Sequence, residues 1–262
     1  MMRLEFPVKF DFKYPEENLL YYSSSDKETM LNLLLDASDG YCMYCGKNIK
    51  VDDKEEYNIE HSLEKSIIIA KDNFLKECKY NLSIACPTCN QKYKTRMIEP
   101  LSSKLVNSKL ACCKDKCVKV CDDYKELFNN YIKLNYIILQ PNCIDHELMS
   151  YGIDYNLINH VFEPSIKCTD DKSRRFISDH IARFHLNREM YTKSIIRICE
   201  EIYNQISILG QSVELDKHLQ IIKHYRYDNV LDKIFIEFLE KTFNNVSDLY
   251  EYCKLSIILS YV

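Results

Sequence analysis

The sequence predicts an α+β protein that is mainly helical, and three observations support this fold class. The 262 residues include only 4 Gly and 6 Pro, so the frequent turns of an all-β chain are missing. Outside the middle of the first half, apolar residues recur three and four positions apart, as they do on one face of a helix. Two cysteine pairs of equal spacing frame a short stretch that has the residues of strands and turns. We therefore expect a small metal-stapled unit followed by a helical C-terminal part.

The individual elements follow from local patterns. A capping Ser25 or Asp26 and the apolar positions after it predict a first helix. The same periodicity predicts helices over residues 26–37, 124–139, 173–186, 188–209, 213–225, 230–243 and 247–259. Short strands are expected to end at His61 and to cover residues 81–85, with a turn at residues 38–40 and a helix from Asn90. Residues 142–169 break the periodicity, so we expect turns or short strands there.

These elements suggest three parts along the chain. Residues 1–40 form an N-terminal extension with one helix. Residues 41–100 form the unit that contains both cysteine pairs. Residues 101–262 form a connector and the helical C-terminal region.

Charge and hydropathy limit the possible partners. With 35 Lys and Arg against 39 Asp and Glu, the net charge of −4 argues against a broad basic surface, so contact with nucleic acid should be local or shared. The start of the chain lacks the pattern of a signal peptide, and no apolar stretch has membrane-spanning length. We therefore expect a cytoplasmic protein that does not contact a membrane, in which 13 cysteines are not a disulfide framework.

Four of the cysteines predict a structural zinc site. Cys42 and Cys45 form one pair, Cys86 and Cys89 form another, and 41 positions separate Cys45 from Cys86. Each pair can close a tight turn, and two such pairs supply the four thiolates that zinc prefers in closed sites. The alternative is that these cysteines pack as small apolar residues.

A second cysteine group carries a weaker signal. Cys113, Cys117 and Cys121 follow one another at steps of four, with Cys112 adjacent, so a helix would place three thiols on one face. This group lacks the tight turn expected within each of the two zinc pairs. Whether it binds a second metal stays open.

The residues between and after the zinc pairs resemble the HNH endonuclease family, of the ββα-metal type with four zinc-binding cysteines. That family has, in order, an acidic residue, a histidine, a middle asparagine and a final His or Asn after the last cysteine. This chain has Glu60, His61, Asn81 and Asn90 in the same order, over about 55 residues.

The resemblance implies a role for each residue. His61 would be the general base, since a neutral imidazole can take a proton from water near neutral pH. Glu60 and Asn90 would bind one catalytic divalent cation. Asn81 would fix the loop that carries the histidine. Because Asn90 stands where many family members have His, Mg²⁺ or Mn²⁺ is expected rather than zinc.

Four cations near this unit are candidates for contact with nucleic acid. They are Lys65, Lys92, Lys94 and Arg96. The last three would lie on the first turns of the helix after the cysteines, where they could meet the phosphate backbone. A solvated helix face gives the same pattern.

Three short segments are similar to a narrower group, the HNH nuclease subunit of Septu-type and retron-associated antiphage systems. These are residues 60–66, with Glu64 where that group usually has Pro, residues 139–145 and residues 185–189. The resemblance implies an ABC or SMC-like ATPase as partner and a role in antiphage defence.

Two other functions remain open. The first is a zinc-knuckle module that binds nucleic acid or protein without cutting it. The second is a structural adaptor for an ATPase that works through its helical half. For a nuclease we expect DNA as the substrate, although the site residues suit any phosphodiester that reaches them.

Overall fold

A computed structural model of the chain describes residues 2–10, 12–13, 26–51, 54–63, 78–94, 122, 124–125, 151–223 and 227–261. Several predictions fall outside these residues. They concern Lys65, Arg96, the cysteines of residues 112–121, residues 126–139 of one predicted helix and the segment 139–145.

The prediction of a mainly helical α+β protein is confirmed. The described helices are α1 (Lys27–Ser38), α2 (Asp171–Arg183), α3 (Glu189–Leu209), α4 (Leu215–Lys223), α5 (Val230–Thr242) and α6 (Val246–Leu259). The described strands are β1 (Arg3–Phe6), β2 (Lys50–Val51), β3 (Lys54–Glu55), β4 (Asn58–His61), β5 (Leu82–Ala85), β6 (Ile153–Asn156) and β7 (Val161–Pro164). A 3₁₀ turn (Lys79–Asn81) precedes β5, and a π-helical segment (Thr88–Tyr93) follows it.

The helix boundaries coincide with capping residues. The side chains of Asp170, Asn229 and Asn245 accept hydrogen bonds from main-chain N–H groups in the first turns of α2, α5 and α6. These bonds satisfy donors that have no partner inside the helix. At Asp26, by contrast, the side chain makes no capping hydrogen bond.

The strands form three small sheets. The order is β1-β6-β7 in the largest, while β2 pairs with β3 and β4 pairs with β5. β6 and β7 are the short strands expected within residues 142–169. β1, in contrast, was not predicted from the sequence.

The chain divides into two compact units that do not follow chain order. One unit comprises Met1–Phe6, Asp154–Glu163 and Asn187–Val262, and the other comprises Pro7–Ile153 and Pro164–Leu186. Each unit is therefore assembled from separate segments, whereas the three predicted parts are consecutive.

The first unit has an aromatic and aliphatic core. The rings of Phe6 and Tyr191 both meet Phe162 edge to face, with centroids 5.1 and 5.0 Å apart. α3 packs against α6 and buries an apolar stripe at helical spacing.

The second unit contains both predicted zinc pairs. α1 packs against β5 and buries Met30 and Leu34 completely. After α1, Asp39 and Gly40 have φ angles of 52° and 74°, which form the predicted turn. The chain thus enters the first cysteine pair directly from α1.

Within the described part of the chain, no helix combines the length and the apolar character needed to cross a lipid bilayer.

Candidate functional site

Cys42 and Cys45 lie on a tight turn just after α1. The main-chain N–H of Gly46 donates to the carbonyl oxygen of Cys42 at 2.8 Å. Gly46 has a φ of 67°, a left-handed conformation that favours glycine. The turn therefore brings both thiols to one side of a short loop.

Cys86 and Cys89 lie where β5 ends and the π-helical segment begins. Pro87 has a helical φ of −53°, and the N–H of Asn90 donates to the carbonyl oxygen of Cys86 at 3.1 Å. This turn brings the second pair of thiols together at the end of the strand.

The four thiols converge on one point. Cys42, Cys45, Cys86 and Cys89 are all buried, and their sulfur atoms lie within 4.8 Å of one another. The sulfurs of Cys45 and Cys86 are 3.9 Å apart. Zinc–sulfur bonds of about 2.3 Å in a tetrahedron put neighbouring sulfurs about 3.8 Å apart. The cluster can therefore hold a metal ion such as zinc.

The electrostatics of the cluster also suit a cation. Hydrogen bonds with neighbouring thiols lower the pKa of both Cys45 and Cys86, and the bond with Cys42 has the largest effect in each case. Burial is the main cause that raises the pKa of Cys42. A cation bound by the four sulfurs would displace the thiol protons and offset the cost of burying thiolates.

His61 is the last residue of β4. The antiparallel register pairs it with Leu82 and pairs Glu60 with Ser83. Because side chains alternate along a strand, Glu60 and His61 point to opposite faces of this small sheet. The His61 side chain is largely buried, with 7% of the residue exposed.

Asn81 fixes the main chain that follows His61. Its side-chain amide donates to the carbonyl oxygen of Leu63 at 2.8 Å, and its side-chain oxygen accepts from the N–H of Leu63 at 2.7 Å. The hydroxyl of Tyr124 donates to the same oxygen at 3.0 Å. The N–H of Ser62 donates to the main-chain oxygen of Asn81 at 2.8 Å. Three of these bonds join Asn81 to the main chain of Ser62 and Leu63.

Asn90 and Lys92 lie on the π-helical segment directly after the last cysteine. Asn90 is partly exposed and Lys92 is exposed. Both side chains are therefore open to solvent, at least in part, close to Cys86 and Cys89.

Glu60 lies in a buried polar cluster on the other face of the sheet. The residue is 1% exposed. Its Oε2 accepts hydrogen bonds from the hydroxyl of Tyr44 and from that of Ser83, the latter at 2.5 Å. Its Oε1 forms an ion pair with the ammonium of Lys94. The carboxylate expected to bind a catalytic cation is thus engaged by three side chains of the chain itself.

Lys94 departs from the role expected for it. It is 4% exposed, and in addition to pairing with Glu60 it donates a hydrogen bond to the main-chain oxygen of His61. Burial, followed by the charge of Arg183, lowers the pKa of Lys94. A lysine in this position does not present its charge to nucleic acid at the surface.

Sequence reasoning missed the contribution of α2. Phe184, just after this helix, stacks on Tyr44 with ring centroids 4.8 Å apart. Arg183 donates to the main-chain oxygen of Lys94 at 3.3 Å, and the rings of His185 and Tyr93 are 4.7 Å apart. Contacts over some 90 to 140 positions leave no local signal in the sequence.

A comparison of the chain with protein families, with curated proteins and with solved structures found no match. The resemblance to HNH proteins therefore rests on the residues named above.

The cysteine cluster predicts the metal content of the purified protein. We expect about one tightly bound metal ion per chain, and loss of that ion in the variant Cys86→Ser, because three thiolates leave an open site. Removal of the ion should lower the melting temperature by about 10 °C or more, since structural metal binding is part of the folding free energy. Inductively coupled plasma mass spectrometry and a thermal scan measure both effects.

The matched control is Cys168→Ser, which changes a buried cysteine of the same unit outside the cluster. It should keep its metal. Equal metal content in the two variants would contradict the assignment of the cluster.

The clamp at Asn81 predicts a local loss of protection. The variant Asn81→Ala leaves the N–H of Leu63 without its side-chain acceptor, which costs about 3 kcal/mol for a buried group. The Leu63 amide should then exchange with solvent about a hundredfold faster. Hydrogen exchange measured by NMR tests this, with the exposed Asn204→Ala as control. Unchanged exchange at Leu63 would show that the clamp is energetically unimportant.

Proposed function

We propose that this protein is a metal-dependent endonuclease of the HNH type, which hydrolyses phosphodiester bonds of nucleic acid. One observation carries the proposal. His61 ends a strand whose continuation is clamped by Asn81, in the same unit as the buried four-cysteine cluster. The order of these residues along the chain is that of the HNH family. The cluster would hold a structural zinc ion, since four buried thiols are the donor set that zinc prefers.

The chain's own residues divide the chemical work. His61 takes a proton from the attacking water, because an imidazole changes charge near neutral pH. Asn81 limits the movement of the backbone that carries this imidazole. Lys92, exposed on the π-helical segment, meets the phosphate backbone of the substrate.

A catalytic cation is also part of the proposal. Asn90 is partly exposed and offers an amide oxygen, a ligand that Mg²⁺ and Mn²⁺ accept. Such a cation, when bound, stabilises the negative charge that develops on the scissile phosphate and on the leaving oxygen. Glu60, the other ligand that the resemblance implies, fits less well because its carboxylate already has three partners.

DNA is the proposed substrate, and a role in antiphage defence with an ABC or SMC-like ATPase is the proposed context. The support is the similarity of residues 60–66, 139–145 and 185–189 to the Septu-type subunit. The net charge of −4 agrees with a nuclease that binds its substrate together with a partner protein.

A second candidate is a zinc-knuckle module that binds without cutting. The observation that favours it is the small exposed fraction of His61, 7%, beside a carboxylate that is engaged internally. The experiment below separates the two functions.

Cleavage of supercoiled plasmid by the full chain, with Mg²⁺ or Mn²⁺, tests the proposal. The variant His61→Asn should lower the cleavage rate by about a hundredfold or more, because an amide cannot act as a base. The same substitution at His160, in the other unit, is the control. Asparagine tolerates the φ of 52° found at this position, so His160→Asn should fold and cut normally.

Cutting that persists in folded, metal-loaded His61→Asn would exclude His61 as the base. If the wild-type protein cuts neither DNA nor RNA, alone or with its ATPase, while it still binds nucleic acid, the binding module is the better description.

A further inference from the structure

Lys94 contacts both members of the acid and histidine pair on β4. It directly follows the π-helical segment, at the helix cap, and it is 4% exposed. Its ammonium pairs with the carboxylate of Glu60 and donates to the main-chain oxygen of His61. A lysine held in this way acts on the backbone of His61 instead of on a substrate.

Glu60 gives the ammonium a fixed counter-charge. Tyr44 and Ser83 hold one carboxylate oxygen, and Lys94 faces the other. A buried ammonium is costly unless its partners are in place, so the pair has few alternative arrangements. The position of Lys94 is therefore set by groups from three different segments of the unit.

The contact with His61 complements the clamp at Asn81. Lys94 holds the main chain at residue 61, and Asn81 holds it at residue 63. The imidazole of His61 thus leaves the backbone at the start of a short segment that is fixed at both ends. A backbone that is fixed at the general base and just after it meets a requirement of a preorganised site.

We propose that Lys94 is a positioning residue that, through its ion pair with Glu60, fixes the main-chain carbonyl of His61 and thereby the direction of the imidazole. This assignment rests on the proposed nuclease function. In this assignment Glu60 helps to position His61, and Lys94 is not one of the residues that bind nucleic acid.

The test compares three variants of the full, zinc-loaded chain. Lys94→Met removes the ammonium. Lys92→Met removes an exposed lysine of the same helical segment and is the matched control for the NMR readout alone, because Lys92 is itself a proposed phosphate contact. The double variant Glu60→Gln with Lys94→Met leaves no lone buried charge, so it decides the question if Lys94→Met fails to fold.

The first readout is the NMR signal of the His61 ring, assigned by its absence in His61→Asn. We expect it to shift in Lys94→Met and in the double variant, and to stay unchanged in Lys92→Met. In the wild-type protein the ammonium protons of Lys94 should exchange slowly, as expected for a buried, hydrogen-bonded group. A ring signal that keeps its position when Lys94 is lost, or rapidly exchanging ammonium protons, would overturn the proposal.

The second readout is kinetic. A positioning role predicts that Lys94→Met, or the double variant, lowers kcat about tenfold or more while KM changes less than about twofold. A phosphate contact predicts the opposite. KM should rise, and the slope of log affinity against log salt concentration should decrease by the contribution of about one phosphate contact. That second result would overturn the proposal.

The two readouts separate this inference from the nuclease proposal. If the wild-type chain cuts nothing, the proposed function fails, and the NMR measurements still decide whether Lys94 fixes His61.

Discussion

The second unit depends on the contact between four thiols, which come from two segments 41 positions apart in the chain. β4 and β5 have four residues each, and a two-stranded sheet of that size is only marginally stable in water. The cysteine turns bracket this sheet, since one lies before β4 in the chain and the other follows β5 directly. A metal held there would tie the turn after α1 to the end of β5 and so would stabilise the register in which Glu60 faces Ser83.

The buried polar cluster adds a second constraint, and it depends on the first. Tyr44 lies between Cys42 and Cys45, so the turn that presents the thiols also places the tyrosine hydroxyl on Glu60. An ion pair such as that of Glu60 and Lys94 costs several kcal/mol of desolvation and contributes little net stability. Its effect is instead to exclude other arrangements, because removing either charge leaves the other buried without a partner. We therefore attribute specificity of geometry, more than stability, to this cluster.

Local signals in the sequence predicted much of this structure, and contacts between distant segments were out of their reach. Equal cysteine spacing identified the cluster, and periodicity identified α3 at 188–209 against the observed Glu189–Leu209. β1 (Arg3–Phe6) was missed because its pairing partner β6 lies about 150 positions away, and local patterns do not reveal such a pairing. The exposure of Lys92 and the burial of Lys94 could not be predicted either. The two lysines are two positions apart, and the partners of Lys94, the carboxylate of Glu60 and the main-chain oxygen of His61, lie more than 30 positions away in the sequence.

The backbone from His61 to Leu63 shows why these constraints matter together. A chain that leaves the end of a two-stranded sheet normally loses its hydrogen-bond partners and becomes the part that opens first. Here each of the three residues keeps a main-chain bond to another segment: His61 to Lys94, and Ser62 and Leu63 to Asn81. The two residues that supply these bonds flank β5 and the cysteines that follow it. Order at His61 therefore depends on the same short segment that carries Cys86 and Cys89, so opening of the cysteine cluster would disorder the imidazole along with the fold.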